Sequence, residues 1–187
     1  MKVERLALPE VMLVTPTVRG DARGAFHESW QLARYAEAGL PTRWVQDNVS
    51  RSAYGVLRGL HLQHPREQGK LVSVMLGEIL DVAVDVRRGS PTFGRWVQAV
   101  LSATTAQQLF VPAGFAHGFV VTSAEAVVHY KCTEYYSPAD ERTIAWNDAT
   151  LAIDWPVRSP ILSARDAEGK RLAELAPNEL PTFAPAA

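Results

Sequence analysis

Short apolar, β-branched runs separated by turn residues dominate the middle of the chain. The pattern predicts strands over residues 71–76, 79–86, 96–101, 107–112, 119–122 and 126–132. Helical patterns are confined to the flanks, at 29–38 and from near Ser163 toward Leu175. Closely spaced strands without helices between them are typical of a sandwich or a barrel, so an all-β fold is expected.

The predicted strand 79–86 has two chemically different faces. Alternation places leucine and valine side chains on one face and Asp81, Ala83 and Asp85 on the other. An acidic face of this kind fits a solvated outer surface as well as it fits a polar site inside a barrel. This strand alone does not decide between the two interpretations.

The run VLRGLHLQH, residues 56–64, threads an arginine and two histidines through an apolar strand. Strict alternation places Arg58 on the side of the leucines and His61 on the opposite side. A bulge at Gly59 would shift the alternation by one residue and bring Arg58 and His61 to a common surface. The alternative is a surface arginine beside a histidine whose bonds are satisfied in the core.

Length and composition limit the class of protein. With 187 residues the chain is expected to form one domain, 1–187, whose last dozen residues, rich in Pro and Ala, form a loose tail. The net charge of −1 gives no overall positive field that would attract nucleic acid or an anionic membrane. One cysteine excludes an intramolecular disulfide, and Glu4 and Pro9 interrupt any apolar leader, so a cytoplasmic setting is expected. The chain has no run of about 18 apolar residues, so no membrane-spanning helix is expected.

Three histidines raise the hypothesis of a metal centre. His61, His64 and His117, with a carboxylate, could hold iron or zinc in a barrel. Two ligands on one strand should lie two residues apart to share a face, whereas His61 and His64 lie three apart. The spacing therefore argues against a metal.

Several strings, in order along the chain, resemble the dTDP-4-dehydrorhamnose 3,5-epimerase family. They are RGLHLQ (58–63), QGKLV (68–72), GEILDVAVDVRRGSPTFGRW (77–96), VPAGFAHGF (111–119), YKCTEYYSP (130–138) and ILSARD (161–166). The resemblance runs from about residue 8 to residue 166. It implies a cupin-type jelly-roll barrel with short flanking helices, a homodimer, and catalysis without a metal or other cofactor.

The resemblance also implies a reaction and catalytic residues. The C3 and C5 hydrogens of dTDP-4-dehydro-6-deoxy-D-glucose are acidic because both carbons neighbour the C4 ketone, and inversion at both gives dTDP-4-dehydro-L-rhamnose. His61 matches the base, Asp166 its orienting partner, Lys70 the cation beside the C4 oxygen and Tyr130 the acid. From the residues alone, Ser163 to Asp166 instead indicates a helix cap, Lys70 a solvated turn and Tyr130 a packing aromatic.

Further matches concern the binding of the dTDP-sugar. Arg23 and Arg58 match cations near the diphosphate, where guanidinium groups bind oxygens in pairs. The other matched binding positions are Phe26, Glu28, Gln46, Asn48 and Tyr136, several of them contributed across the dimer in the family, and His117, which Asp81 would orient. The N-terminal loop departs from the family by having Ala25, Phe26 and His27 where two or three aromatics are usual, and Leu62 stands where an aromatic is common.

Three other functions remain open from the sequence. They are a C3-only epimerase of another dTDP-deoxysugar pathway, a metal-dependent cupin enzyme and a nucleotide-sugar binding module without chemistry. The sequence does not indicate whether the rhamnose enters a lipopolysaccharide, another cell-wall polymer or a secreted glycoside.

Overall fold

The computed structural model describes residues 1–184, which fold as two facing antiparallel sheets. The strands are β1 (Lys2–Arg5), β2 (Met12–Thr15), β3 (Arg19–Asp21), β4 (Gly24–Phe26), β5 (Gln46–Ala53), β6 (Leu57–Gln63), β7 (Lys70–Leu76), β8 (Glu78–Asp85), β9 (Trp96–Ser102), β10 (Gln108–Val111), β11 (Phe115–Val121), β12 (Glu125–Cys132) and β13 (Glu141–Thr143). The helices are α1 (Leu32–Glu37) and α2 (Ala164–Ala167), with 3₁₀ turns at Leu172–Glu174 and Pro177–Glu179.

The strand order confirms the expected all-β jelly-roll class. One sheet has six strands in the order β1-β2-β10-β7-β12-β5, and the other has five in the order β13-β6-β11-β8-β9. Strands β3 and β4 form a separate hairpin. Apart from β1–β2 and β8–β9, neighbours in each sheet are not consecutive in sequence, so the chain crosses repeatedly between the two layers and encloses a common interior.

The acidic face of β8 points into the protein. Asp81 and Asp85 are both fully buried, so the interpretation of this face as a solvated outer surface is wrong. Each carboxylate has a polar partner, as a charge in the interior requires. Asp85 binds Arg87, while Asp81 faces His117.

A bulge in β6 brings Arg58 and His61 to one surface. His117 of β11 pairs with His61 and Phe119 pairs with Arg58, so two steps on β11 oppose three on β6. At the bulge Gly59 has a φ of +130°, and a Cβ there would lie 2.5 Å from Gly118 Cα. Only glycine fits this close approach of the two strands.

Three apolar clusters stabilise the layers. The first fills the space between the sheets and contains residues such as Val72, Ile79 and Phe119. The second lies on the outer face of the five-stranded sheet, where the leucines of β6 meet the C-terminal segment. The third lies between α1 and the six-stranded sheet. The leucines of β6 therefore pack outward while its polar residues point inward.

The flanking elements are shorter than the sequence pattern predicts. Helix α1 begins after Gln31, whose side chain accepts a hydrogen bond from Arg34 N at 2.8 Å, and the chain turns at Gly39 with a φ of +81°. Helix α2 has only four residues and does not continue to Leu175, because the backbone joins Ala145 through Lys170 O instead of extending the helix.

The C-terminal segment is packed rather than loose as far as the structure describes it. Leu180 is buried in the second cluster, and Phe183 N donates to Arg88 O at 2.9 Å. The expectation of a loose tail over the last dozen residues is therefore wrong for 176–184. Residues 185–187 lie outside the described part of the chain. Within residues 1–184, every helix is too short or too polar to cross a bilayer.

Candidate active site

A polar cavity between the sheets contains most of the residues singled out in the sequence. It has an outer and an inner part that share five lining residues, namely His61, Lys70, Tyr130, Tyr136 and Glu141. The outer part adds Gln46, Asn48, Leu62, Gln63 and Gln68. The inner part adds Ser50, Arg58, His117, Phe119 and Arg165. Strands of both sheets contribute, so the cavity is a feature of the closed sandwich.

His61 is held by a buried carboxylate. Its Nε2 lies 2.6 Å from Asp166 Oδ1, and the Asp166 side chain is almost fully buried. Burial alone would raise the pKa of Asp166, but hydrogen bonds from His61 and Ser163 outweigh it and lower the pKa below its usual range. Because an ionised carboxylate only accepts, Nε2 is the donor in this contact, and in a neutral imidazole that leaves the lone pair on Nδ1.

Asp166 makes both contacts that the sequence suggested as alternatives, one to His61 and one to the helix cap. Ser163 is the N-cap of α2, and its Oγ accepts a hydrogen bond from Asp166 N at 3.1 Å. The same hydroxyl donates to Asp166 Oδ2 at 2.8 Å. The cap and the histidine therefore use different oxygens of one carboxylate, and α2 fixes the position of that carboxylate.

Lys70 and Tyr130 are buried where the cavity meets the six-stranded sheet. Lys70 is only 8% exposed, and burial lowers its pKa because the charged amine loses its water. Burial raises the pKa of Tyr130, so the phenol is protonated throughout the neutral range. Lys70 is therefore a buried amine that lines the cavity, and Tyr130 brings a protonated phenol to the same wall.

The inward face of β5 is a row of polar side chains. Gln46 Nε2 donates to Asn48 Oδ1 at 2.9 Å, and Gln46 Oε1 accepts from Tyr136 N at 2.8 Å. Further along, Ser52 Oγ accepts from Arg58 Nε at 3.1 Å and fixes that guanidinium on the cavity wall. The row thus sets the position of an amide pair and of a cation.

A second histidine is held in the same way as the first. His117 Nε2 lies 2.6 Å from Asp81 Oδ1, and both residues are buried. The predicted pairing of these two residues is confirmed. His117 lines the inner cavity, so its ring presents a polar edge beside Arg58 and Lys70.

Three predicted binding residues lie outside this cavity. Arg23 and Phe26 belong to the β3–β4 hairpin, and Glu28 follows it. Arg23 Nη2 pairs with Asp21 Oδ2 at 2.5 Å, and Glu28 pairs with Arg34 at 2.6 Å. The Phe26 ring is 73% exposed. In the single chain these three residues therefore do not line the His61 cavity, and their predicted role in binding stays a prediction.

Two charged residues of the cavity wall were missed by the sequence analysis. Glu141 of β13 accepts a hydrogen bond from Tyr136 OH at 2.7 Å and another from Arg165. Arg165 is adjacent to Asp166 in the motif ILSARD, so its place beside the predicted dyad could have been noticed. Glu141 lies on a three-residue strand without an apolar pattern, and no signal in the sequence indicates it.

The three histidines considered as metal ligands have separate partners. His64 Nδ1 lies 3.0 Å from Glu67 Oε1, whereas His61 and His117 face different carboxylates. In the part of the chain that the structure describes, no three His, Cys, Asp or Glu side chains converge on a common point. These histidines are each oriented singly by an acid.

The cavity combines the groups needed for proton transfer next to a ketone. An imidazole with a free lone pair can remove a proton, a protonated phenol can return one, and a buried ammonium can stabilise a negative oxygen. Arg58 adds a cation suited to phosphate. The geometry supports isomerisation of a phosphorylated keto-sugar.

Comparison with known proteins agrees with this chemistry. A family model described as dTDP-4-dehydrorhamnose 3,5-epimerase matches residues 5–174. A dTDP-4-dehydrorhamnose 3,5-epimerase of Pseudomonas aeruginosa is 56% identical over 176 residues, covering 93% of this chain and 97% of that protein.

Two solved structures are similar throughout. A dTDP-6-deoxy-D-glucose-3,5-epimerase of Legionella pneumophila, in complex with dTDP-4-keto-L-rhamnose, has a TM-score of 0.95 and 49% identity, with 98% of each chain covered. A 3'-monoepimerase of Streptomyces bikiniensis, in complex with dTDP-quinovose, has a TM-score of 0.87 and 34% identity, with 95% of this chain and 91% of that chain covered. On the strength of the family match and these relatives, the chain belongs to the dTDP-4-dehydrorhamnose 3,5-epimerase family and is an isomerase.

Proposed function

We propose that this enzyme inverts C3 and C5 of dTDP-4-dehydro-6-deoxy-D-glucose and so forms dTDP-4-dehydro-L-rhamnose. The observation that carries the proposal is the shared cavity, in which His61, Lys70 and Tyr130 all contribute to the wall. Each inversion removes a proton from a carbon beside the C4 ketone, leaves the electron pair in an enolate, and adds a proton to the opposite face of the same carbon.

His61 is the base in this mechanism. Asp166 fixes the proton on Nε2, so Nδ1 takes the proton from the sugar carbon and the ring becomes an imidazolium. The carboxylate then faces a full positive charge at 2.6 Å, which stabilises the ion. The carboxylate therefore orients the imidazole and stabilises the imidazolium that forms when the base takes a proton.

Lys70 stabilises the enolate. Each pK unit between the carbon acid and the base costs about 1.4 kcal/mol, so a gap of about ten units would add about 14 kcal/mol to the barrier. An ammonium in a buried site interacts strongly with an oxygen that gains charge, because little water screens it. The burial of Lys70 and its position on the cavity wall support this role.

Tyr130 is the acid that returns the proton. Its phenol lies on β12 in the six-stranded sheet, whereas His61 lies on β6 in the opposite sheet. A ring between the two sheets would present one face to each group. Since burial raises the pKa of Tyr130, the phenol holds its proton until the enolate forms.

The remaining cavity residues bind the dTDP-sugar. Arg58 binds the diphosphate, and His117, oriented by Asp81, binds a sugar oxygen. Gln46, Asn48 and Tyr136 bind the nucleotide at the outer part of the cavity. Support for these roles comes from their place on the wall and from the match of their positions to the family pattern.

We further propose that the enzyme works as a cytoplasmic homodimer in which the hairpin completes the partner's site. Arg23, Phe26 and Glu28 then bind the nucleotide in the second copy, which accounts for their distance from the cavity of their own chain. The exposed Phe26 ring supports this arrangement, because an aromatic side chain 73% exposed in the single chain has apolar surface to bury.

Incubation of dTDP-4-dehydro-6-deoxy-D-glucose with the enzyme in deuterated buffer, without added metal, tests the function. NMR is expected to show deuterium at both C3 and C5 of the product. Label at C3 alone would instead identify a monoepimerase, the second candidate favoured by the structural similarity to the 3'-monoepimerase of Streptomyces bikiniensis. No label, together with tight dTDP binding, would indicate a binding module, and label only after metal addition would indicate a metal-dependent cupin enzyme.

A further inference from the structure

The inner cavity contains a serine hydroxyl that has no partner. Ser50 lies on β5 and lines the inner part of the cavity. Its Oγ is buried and forms no hydrogen bond to any residue in 1–184. Buried hydroxyls in folded proteins are almost always hydrogen-bonded, since an unpaired one loses its bonds to water without replacement.

Ser50 lies on the same face of β5 as the residue that holds Arg58. Ser50 pairs with Val128 of β12 and therefore faces inward with Asn48 and Ser52, its neighbours at two residues on either side. Ser52 holds Arg58 Nε, so that guanidinium is fixed beside the same stretch of wall.

We propose that Ser50 is a further substrate-binding residue, whose hydroxyl donates to an oxygen of the diphosphate bound by Arg58. Phosphate oxygens accept hydrogen bonds from both guanidinium and hydroxyl groups. A hydrogen bond from a neutral hydroxyl to an anionic oxygen is stronger than one to a neutral acceptor. This role rests on the proposed function, since it concerns the same dTDP-sugar.

The role makes an unusual prediction about stability. A buried hydroxyl that stabilises the fold forms a hydrogen bond within the protein, and removal of that hydroxyl destabilises the fold. Ser50 Oγ has none among the described residues, so Ser50→Ala should leave the melting temperature of the free protein unchanged or raise it. The same variant should lose affinity for the ligand that supplies the missing acceptor.

Ser102→Ala is a matched control. Ser102 is also buried, but its Oγ accepts from Thr105 N at 3.2 Å, and it lies outside the cavity. This control should lower the melting temperature and leave dTDP binding unchanged.

Calorimetric titration with dTDP and thermal unfolding of the free proteins test the proposal. For Ser50→Ala we expect the Kd for dTDP to rise about 5- to 10-fold, which corresponds to about 1.0–1.4 kcal/mol, with no loss of melting temperature. An unchanged Kd, or a melting temperature lowered as in Ser102→Ala, would overturn the role of Ser50 while leaving the epimerase function intact. Wild-type protein that fails to bind dTDP would overturn both.

Discussion

His61 Nε2 and Asp166 Oδ1 lie 2.6 Å apart, although 105 positions separate the two residues in the sequence. The contact joins an interior strand of the five-stranded sheet to a one-turn helix near the C-terminus. Ser163 holds the second oxygen of the same carboxylate. The helix cap and the general base are therefore one structural unit, and the predictions below start from it.

Replacement of Asp166 by asparagine should impair His61 as a base while keeping a hydrogen-bond acceptor beside Nε2. The amide can still accept from Nε2, but it cannot stabilise the imidazolium electrostatically. We expect kcat to fall on the order of 10²-fold and the acidic limb of the kcat/KM profile to move to lower pH. Steady-state kinetics from pH 5 to 9 measure both. An unchanged profile would contradict the role of the carboxylate.

Asp166 should also make stability depend on pH. Because its folded pKa is lowered, the stabilisation is fully present above the usual value near 3.8 and is lost as the pH falls through the lower folded pKa. Wild-type protein should therefore lose stability in strong acid more steeply than Asp166→Asn does. Urea unfolding between pH 2 and 6 compares the two, and parallel curves would show that this carboxylate does not titrate with folding.

Tyr130→Phe tests the acid. Removal of the hydroxyl leaves the ring packing intact but takes away the proton that the enolate needs. We expect turnover to fall by at least about 10²-fold while dTDP affinity is kept. If exchange continues at both carbons at the normal rate, Tyr130 is not the acid. Tyr136, whose hydroxyl donates to Glu141 at the cavity, is then the next candidate.

Lys70→Met separates catalysis from stability. Burial lowers the pKa of Lys70, so the charged form is disfavoured by folding below that pKa, and the cost disappears as the pH rises toward 10.5. We expect the variant to melt at least about 2 °C higher at neutral pH, the shift that about 1 kcal/mol gives at this size, and to lose at least about 10²-fold in turnover. A variant that is less stable at pH 7, or as active as wild type, would contradict this role.

Arg58→Ala should affect binding more than chemistry. Arg58 is fixed by Ser52 on the cavity wall and has no part in the proton transfers. We expect KM and the Kd for dTDP to rise about 10- to 150-fold, which corresponds to about 1.5–3 kcal/mol for a hydrogen bond to a charged group, with kcat within about threefold of wild type. Isothermal titration and kinetics measure these separately. A large fall in kcat with normal binding would assign Arg58 to catalysis instead.

The sequence predicts local features of the site better than its assembly. Alternation and Gly59 indicated how a bulge could bring Arg58 and His61 to one surface, because a bulge acts within one strand, but they left a surface arginine beside a core histidine as the alternative. Alternation also separated Asp81 and Asp85 from the leucine and valine face of β8, but it could not indicate which face the second sheet covers. That depends on contacts between distant strands.

Other errors have the same physical origin. The pattern from Ser163 toward Leu175 favours a longer helix, yet pairing of Lys170 with Ala145 ends it early. The positions of Arg23 and Glu28 are not an error of this kind: local ion pairs hold both outside the cavity of their own chain, and the family pattern has several binding residues contributed across a dimer. Glu141 was missed because its position on the wall results from tertiary pairing with β6.

Deuterium exchange by His61→Ala tests the central claim most directly, which is that a single imidazole removes the protons at both carbons. NMR of dTDP-4-dehydro-6-deoxy-D-glucose in deuterated buffer should show label entering C3 and C5 with the wild-type enzyme and neither carbon with the variant, although the variant still binds dTDP. Exchange at either carbon at the wild-type rate in His61→Ala would contradict the account.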